Sequence, residues 1–221
     1  MKKLFIHIPK NGGMSIRRND TLRPMVQICN ASTHKSRDYS EAVRKTMKQS
    51  DDHHGWEHAR WRDLKPMYQA MPAFAIIRNP WARVASRYMF CKAESPEGYA
   101  DVSSLEAFLE ERHKWGGKQY YWHRAIRGWY NALDYVTDDL GVVRCDMLRL
   151  EHLTEDLNKY FNLLTTYPQR NITRFEYSYK DLYTPQTIQI VADWYAQDID
   201  YWGFDFDSAA TKNYWNKDAS F

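Results

Sequence analysis

Short apolar runs alternate along this chain with stretches whose apolar residues recur every three or four positions. Residues 4–8 (Leu-Phe-Ile-His-Ile) and 74–78 (Phe-Ala-Ile-Ile-Arg) are mostly apolar rather than alternating. That pattern suits central strands covered on both faces. Each run ends at a breaker, residues 9–13 (Pro-Lys-Asn-Gly-Gly) after the first and Asn79-Pro80 after the second. Residues 147–150 read as a further short strand. Tyr135-Val136 and Val142-Val143 read as extended segments flanking a turn at residues 138–141 (Asp-Asp-Leu-Gly). A helix is expected to open at Ser15. Asp38 and Glu41 resemble a capping box before residues 42–49, and Pro80 suits the first turn of a helix reaching about Phe90. Ser103 and Glu106 form a second box, with Leu105, Phe108 and Leu109 on one face. Leu153, Leu157, Tyr160, Phe161 and Leu164 make another stripe. Thr184-Pro185 starts the last helix, through Ile188, Val191, Ala192, Tyr195 and Ile199 to Gly203. Strands alternating with helices predict an α/β fold, a mainly parallel sheet flanked by helices. Residues 17–37 and 92–102 are the least patterned and are expected to be loops near a site.

The length of 221 residues predicts a single domain over 1–221 with a sizeable core. The net charge of +3 is too balanced for a nucleic-acid partner. Nine Phe, nine Trp and 16 Tyr predict a heavy aromatic core, with a stacking surface for a ring-shaped ligand as the rival use. Cys29, Cys91 and Cys145 are few and far apart, which predicts reduced thiols and no zinc site. No apolar run approaches the ~20 residues of a membrane span. The start, Met1-Lys2-Lys3 and a short apolar run broken by His7, reads as a first strand rather than a leader peptide. A cytoplasmic protein without a membrane partner is therefore expected.

The strand, then Lys10-Asn11-Gly12-Gly13-Met14-Ser15, then a helix, has the makings of a phosphate cradle. Two glycines let the backbone turn its N–H groups toward an anion. A helix start adds donors and partial positive charge, Lys10 a full charge, and Ser15 a hydroxyl. The order differs from a Walker A loop, in which lysine follows the glycines. An ordinary turn with an exposed lysine is the alternative. Residues 75–88 repeat the strand, break and helix: Arg78 stands at a strand end, where ligands gather in open sheets, and Ser86 lies two turns into the helix. Arginine grips phosphate bidentately. The alternative is that Arg78 pairs with a carboxylate and Ser86 packs in the core.

At these residues the chain resembles a known family. Residues 5–15 (Phe-Ile-His-Ile-Pro-Lys-Asn-Gly-Gly-Met-Ser) are similar to the 5′-phosphosulfate loop of sulfotransferases that use 3′-phosphoadenosine 5′-phosphosulfate, PAPS. Residues 77–88 resemble their 3′-phosphate segment, in which an Arg and a Ser eight positions later hold that phosphate. The similarity is to the carbohydrate, Golgi-type branch. It continues in patches through residues 142–153, residues 181–198 and Tyr201-Trp202-Gly203-Phe204, leaving residues 17–50 and 92–118 uncovered. Asn11 and Met14 stand where the family commonly has Thr, and the branch's membrane anchor is not seen.

The resemblance implies a P-loop-like fold and transfer of a sulfuryl group from PAPS to an acceptor hydroxyl, carbohydrate being the branch's example. Residues 10–15, Arg78 and Ser86 would bind the donor, and Lys10 would meet the charge growing on its leaving phosphate. No metal is expected. The acceptor needs a base, and in the family a Gly-His ahead of an apolar stretch supplies one. The matching register places His58 there, before residues 59–64, with Glu57 in place of the glycine and as its rival. His53 and His54 are the remaining histidines of that segment. Trp56, Arg60, Trp61 and Arg62 are candidates for an acceptor wall, as are Trp115 and residues 118–122. A kinase-like phosphotransferase is one alternative function, disfavoured by the loop order and by the lack of a clear magnesium-binding carboxylate after a strand. A non-catalytic nucleotide-binding module is another.

Overall fold

A computed structural model describes residues 1–29, 37–49, 56–94, 100–115, 129–164 and 178–215. Four strands, β1 (Lys3–Ile6), β2 (Val26–Ile28), β3 (Ala73–Ile77) and β4 (Asp146–Arg149), form one sheet in the order β2-β1-β3-β4. Every pairing is parallel; Phe5 lies opposite Ile28 on one side and Phe74 on the other, and Ala75 lies opposite Met147. The helices of the described residues are α1 (Gly13–Arg17), α2 (Arg37–Gln49), α3 (Pro66–Gln69), α4 (Pro80–Glu94), α5 (Leu105–Trp115), α6 (Leu133–Val136), α7 (Leu153–Phe161), α8 (Pro185–Trp194) and α9 (Ala196–Trp202). The α/β fold with a parallel sheet is therefore the one expected from the alternation of patterns. No helix among the described residues is long and apolar enough to cross a membrane.

Side chains of a strand alternate between its two faces, and here both faces are apolar. Leu4, Ile6, Ala73, Ala75, Ile77 and Met147 join one core with Trp81, Val84 and Tyr88 of α4 and Phe108 and Leu109 of α5. Phe5, Phe74, Ile76 and Leu148 join the other with Ile16, Leu22, Leu157 and Tyr160. Burying an aliphatic or aromatic side chain of this size stabilises by about 1.5–3 kcal/mol. The chain leaves β1 for β2 on one side, then returns to β3 on the other, so the strand order reverses between β1 and β3. A crevice opens at the carboxyl ends of two such strands, because their connections depart in opposite directions.

Several boundaries depart from the pattern. β2 lies inside residues 17–37, expected to be a loop; it is three residues long, too short to show a period. α1 begins at Gly13, placing Ser15 inside its first turn. α2 begins at Arg37, so Asp38 lies within it rather than before it. Ser104, not Ser103, caps α5: its Oγ accepts from Ala107 N at 3.1 Å, while Ser103 bonds Asp101. α4 runs on to Glu94. Tyr135 and Val136 are helical, and the adjoining turn is closed by a bridge between Thr137 and Val143, with Gly141 at φ 79°. Leu164 lies past α7 and is exposed, because Asn162 ends that helix in the left-handed region at φ 54°. The last helix is two, divided at Tyr195; its expected start holds, Thr184 capping α8 by accepting from Thr187 N. All three cysteines are unoxidised, Cys29 and Cys91 in the core.

Candidate functional site

The β1–α1 loop and the β3–α4 junction meet at the reversal of strand order. Three side-chain bonds hold the loop there. Asn11 Nδ2 donates to Ile76 O at 2.8 Å, Arg78 Nη1 to Lys10 O at 3.1 Å and Arg83 Nε to Pro9 O at 3.3 Å. Lys10 needs such clamping, because it sits in the left-handed region at φ 64°, as does Gly12 at φ 76°. For a non-glycine residue that conformation costs roughly 1–2 kcal/mol. The N–H groups of Gly12, Gly13 and Met14 meet no acceptor among the described residues. Asn11 is buried and its amide donor is taken by Ile76, so it anchors the loop to the sheet.

Gly13 answers to His7. A Cβ at Gly13 would lie 1.9 Å from His7 Nε2 and 2.2 Å from Cδ2. Gly13→Ala is therefore expected to destabilise the protein by about 1–3 kcal/mol, the usual cost of overpacking. Adding His7→Ala should recover most of that loss in denaturant unfolding, whereas simple addition of the two losses would mean the groups do not collide.

The second junction is equally tied down. Asn79 Oδ1 accepts from Trp81 N and Ala82 N and so starts α4, while its Nδ2 donates to Asp205 O and Ser208 O. Glu151, just after β4, accepts from Asn79 N at 2.8 Å. It also attracts Arg78, whose guanidinium is nonetheless lowered from its ordinary pKa, chiefly by burial. Ser15 and Ser86 are buried, on α1 and α4.

Cations gather around the loop. Lys10, Arg83 and Arg87 line one pocket, with Phe108, Trp129 and Tyr195. Burial, then Arg87 and Arg78, pushes the Lys10 ammonium down to about 8. Its Nζ lies 4.3 Å from the Phe90 ring centre, and no carboxylate among the described residues pairs with it. The pocket wall at Trp129 and Tyr130 is fixed by Trp194 Nε1 on Trp129 O and by Arg83 Nη1 on Tyr130 O. Asp198 steadies the same segment by accepting from Ala132 N and Leu133 N.

His58 is joined to the base of the loop. Its Nδ1 lies 2.8 Å from His7 O, and the two rings are 4.2 Å apart. A carbonyl can only accept, so Nδ1 carries the hydrogen and Nε2 keeps its lone pair. Burial pushes the imidazole down to about 4, although Glu57 and the His7 carbonyl pull it up. His7 is lowered well below its usual value, first by burial and then by His58. His58 is thus neutral at physiological pH, its Nε2 being the ring atom that carries the lone pair. Glu57 shares its short 3-10 turn, Trp56–His58, and both are partly exposed. His53 and His54 lie outside the described residues.

The four described residues expected at an acceptor wall, Trp56, Arg60, Trp61 and Arg62, serve the fold. Arg60 is held by Asp63 through two side-chain bonds, at 2.9 and 2.8 Å. Arg62 donates to Thr137 Oγ1 and faces Asp139. Trp56 and Trp61 pack against the core. Residues 118–122, and the side chain of Trp115, lie outside what is described.

The structure thus brings Lys10, the loop amides and Arg78 together, with His58 tethered to the same loop. It adds Arg83, Arg87 and His7, which no sequence motif marks. A usable signal for the first two existed: arginines four apart on a helix that is otherwise apolar present one charged face to the interior. Comparison with protein-family models, with curated proteins and with solved structures finds no match to this chain.

Proposed function

We propose that the protein is a PAPS-dependent sulfotransferase. The observation that carries this reading is the junction itself: a glycine turn with three N–H groups that meet no acceptor among the described residues, clamped at Lys10 by Arg78 and ringed by cations, with no carboxylate among the described residues paired to Lys10. Such a junction suits a ligand with two separate anionic groups, one for the loop and one for Arg78, and PAPS carries a 5′-phosphosulfate and a 3′-phosphate.

The residues present fit that donor. Loop amides and Lys10 would hold the 5′ end, and Arg78 and Ser86 the 3′-phosphate. Arg78 has donors to spare, since a guanidinium carries five N–H bonds and among the described residues it makes one hydrogen bond, to Lys10 O. When bound, the donor supplies a sulfuryl group on a phosphate leaving group. Lys10 would neutralise charge growing on that phosphate oxygen as its bond to sulfur breaks. His58 Nε2 would take the acceptor's hydroxyl proton as the new S–O bond forms. The acceptor is a hydroxyl compound, carbohydrate in the branch the chain resembles.

Arg78→Ala tests the assignment. It should weaken binding of 3′-phosphoadenosine 5′-phosphate by about 1.5–3 kcal/mol, the worth of a charge-assisted bond. Binding of the analogue lacking the 3′-phosphate should weaken much less, through the loosened Lys10 carbonyl alone. Equal losses by calorimetry would remove Arg78 from the 3′ site.

A further inference from the structure

The cationic pocket beside the loop has a property that the sulfuryl-transfer reading does not use. Its free volume of about 10 Å³ is that of a single water-sized occupant. Lys10, Arg83 and Arg87 line it, and no carboxylate among the described residues does. Arg83 is 2% exposed; its Nε and Nη1 donate to Pro9 O and Tyr130 O, but Nη2 is buried with no hydrogen-bond partner among the described residues. Asp134 and Asp198 reach Arg83 through their field, but their hydrogen bonds go to Asn131 N and to Ala132 N and Leu133 N, and neither bonds Nη2.

A buried charged donor left unmade is costly, and like charges around one small space repel in a weakly screened interior. A water molecule would satisfy Nη2 but leave the repulsion. One negative ion removes both penalties, and the volume limits it to about atomic size. We propose that this pocket binds one small inorganic anion of chloride size, held by Arg83 Nη2 between Lys10 and Arg87. The site lies beside the loop's own anion site and shares Lys10 with it. Its occupant offsets the repulsion on the Lys10 ammonium, which then stays protonated to higher pH.

Bromide, a heavier halide, locates the site directly. Crystals of the full chain grown with millimolar bromide should show an anomalous peak within hydrogen-bond distance of Arg83 Nη2. In solution, exchanging gluconate for chloride at constant ionic strength should raise Tm by about 2–4 °C and then saturate. Arg83→Gln and Arg87→Gln should each lose that chloride-specific rise. If neither variant folds, the bromide peak in the unaltered protein decides the matter. Equal Tm in the two salts, a bromide peak found only at molar concentration, or loss of the peak when 3′-phosphoadenosine 5′-phosphate binds would overturn the proposal. The last result would make the pocket part of the nucleotide site.

Discussion

His58→Ala is expected to lower the rate of sulfuryl transfer about 10²–10⁴-fold, the usual contribution of a positioned base, while leaving PAPS affinity and the fold in place. The expectation rests on the tautomer: Nδ1 on the His7 carbonyl leaves Nε2 to accept. The pH profile gives a second readout. Burial holds His58 at about 4, so it loses its lone pair only as pH falls through that value. The acid limb of kcat/KM, which reports the enzyme before donor binds, should therefore lie near pH 4 rather than near the ordinary histidine value of about 6.5. His58→Ala should remove the limb along with the activity, and Glu57→Gln should remain active. A dead Glu57→Gln beside an active His58→Ala with its acid limb intact would transfer the role to Glu57.

Lys10→Ala should reduce kcat by about 10²–10³, the scale found for removing one donor to a developing oxyanion, with a smaller loss of donor affinity. Here too the titration has a sign. Lys10 is lowered to about 8, so it is charged below that pH and loses its charge above it. In chloride-free buffer the kcat/KM profile should fall through an alkaline limb near pH 8 that is missing in Lys10→Ala. Lys10→Arg restores charge without the compact point donor and should recover activity only in part. Lys10→Gly separates chemistry from strain, because glycine takes φ 64° without penalty. It should fold at least as well as the parent and be as inactive as Lys10→Ala. Unchanged kcat in both variants would exclude Lys10 from the transfer step.

The elements that were legible are those whose local chemistry agrees with their tertiary setting. β1 and β3 are apolar on both faces, and each is followed by a breaker that the structure uses: Gly12 for a left-handed turn, Pro80 for the first turn of α4. Thr184-Pro185 starts α8 for the same local reason. β2 was not legible, since its three residues owe their strand character to the neighbouring β1 rather than to their own pattern. The split at Tyr195 was hidden because the apolar spacing continues across it. At the site, Lys10, the glycines and Arg78 announced themselves through their place at strand ends. Arg83 did not, because its meaning depends on Pro9 and Tyr130, 74 and 47 residues away in sequence. His7 was hidden inside an apolar run, and only the collision it would make with a side chain at Gly13 shows why the loop needs glycine there.

The central claim is that one junction holds two anionic groups of a single nucleotide, and calorimetric titration tests it most directly. 3′-Phosphoadenosine 5′-phosphate should bind about 10-fold to 150-fold more tightly than ATP, the ratio that about 1.5–3 kcal/mol of 3′-phosphate contact confers. ATP binding as tightly as the 3′-phosphorylated nucleotide, or neither nucleotide binding at all, would contradict it.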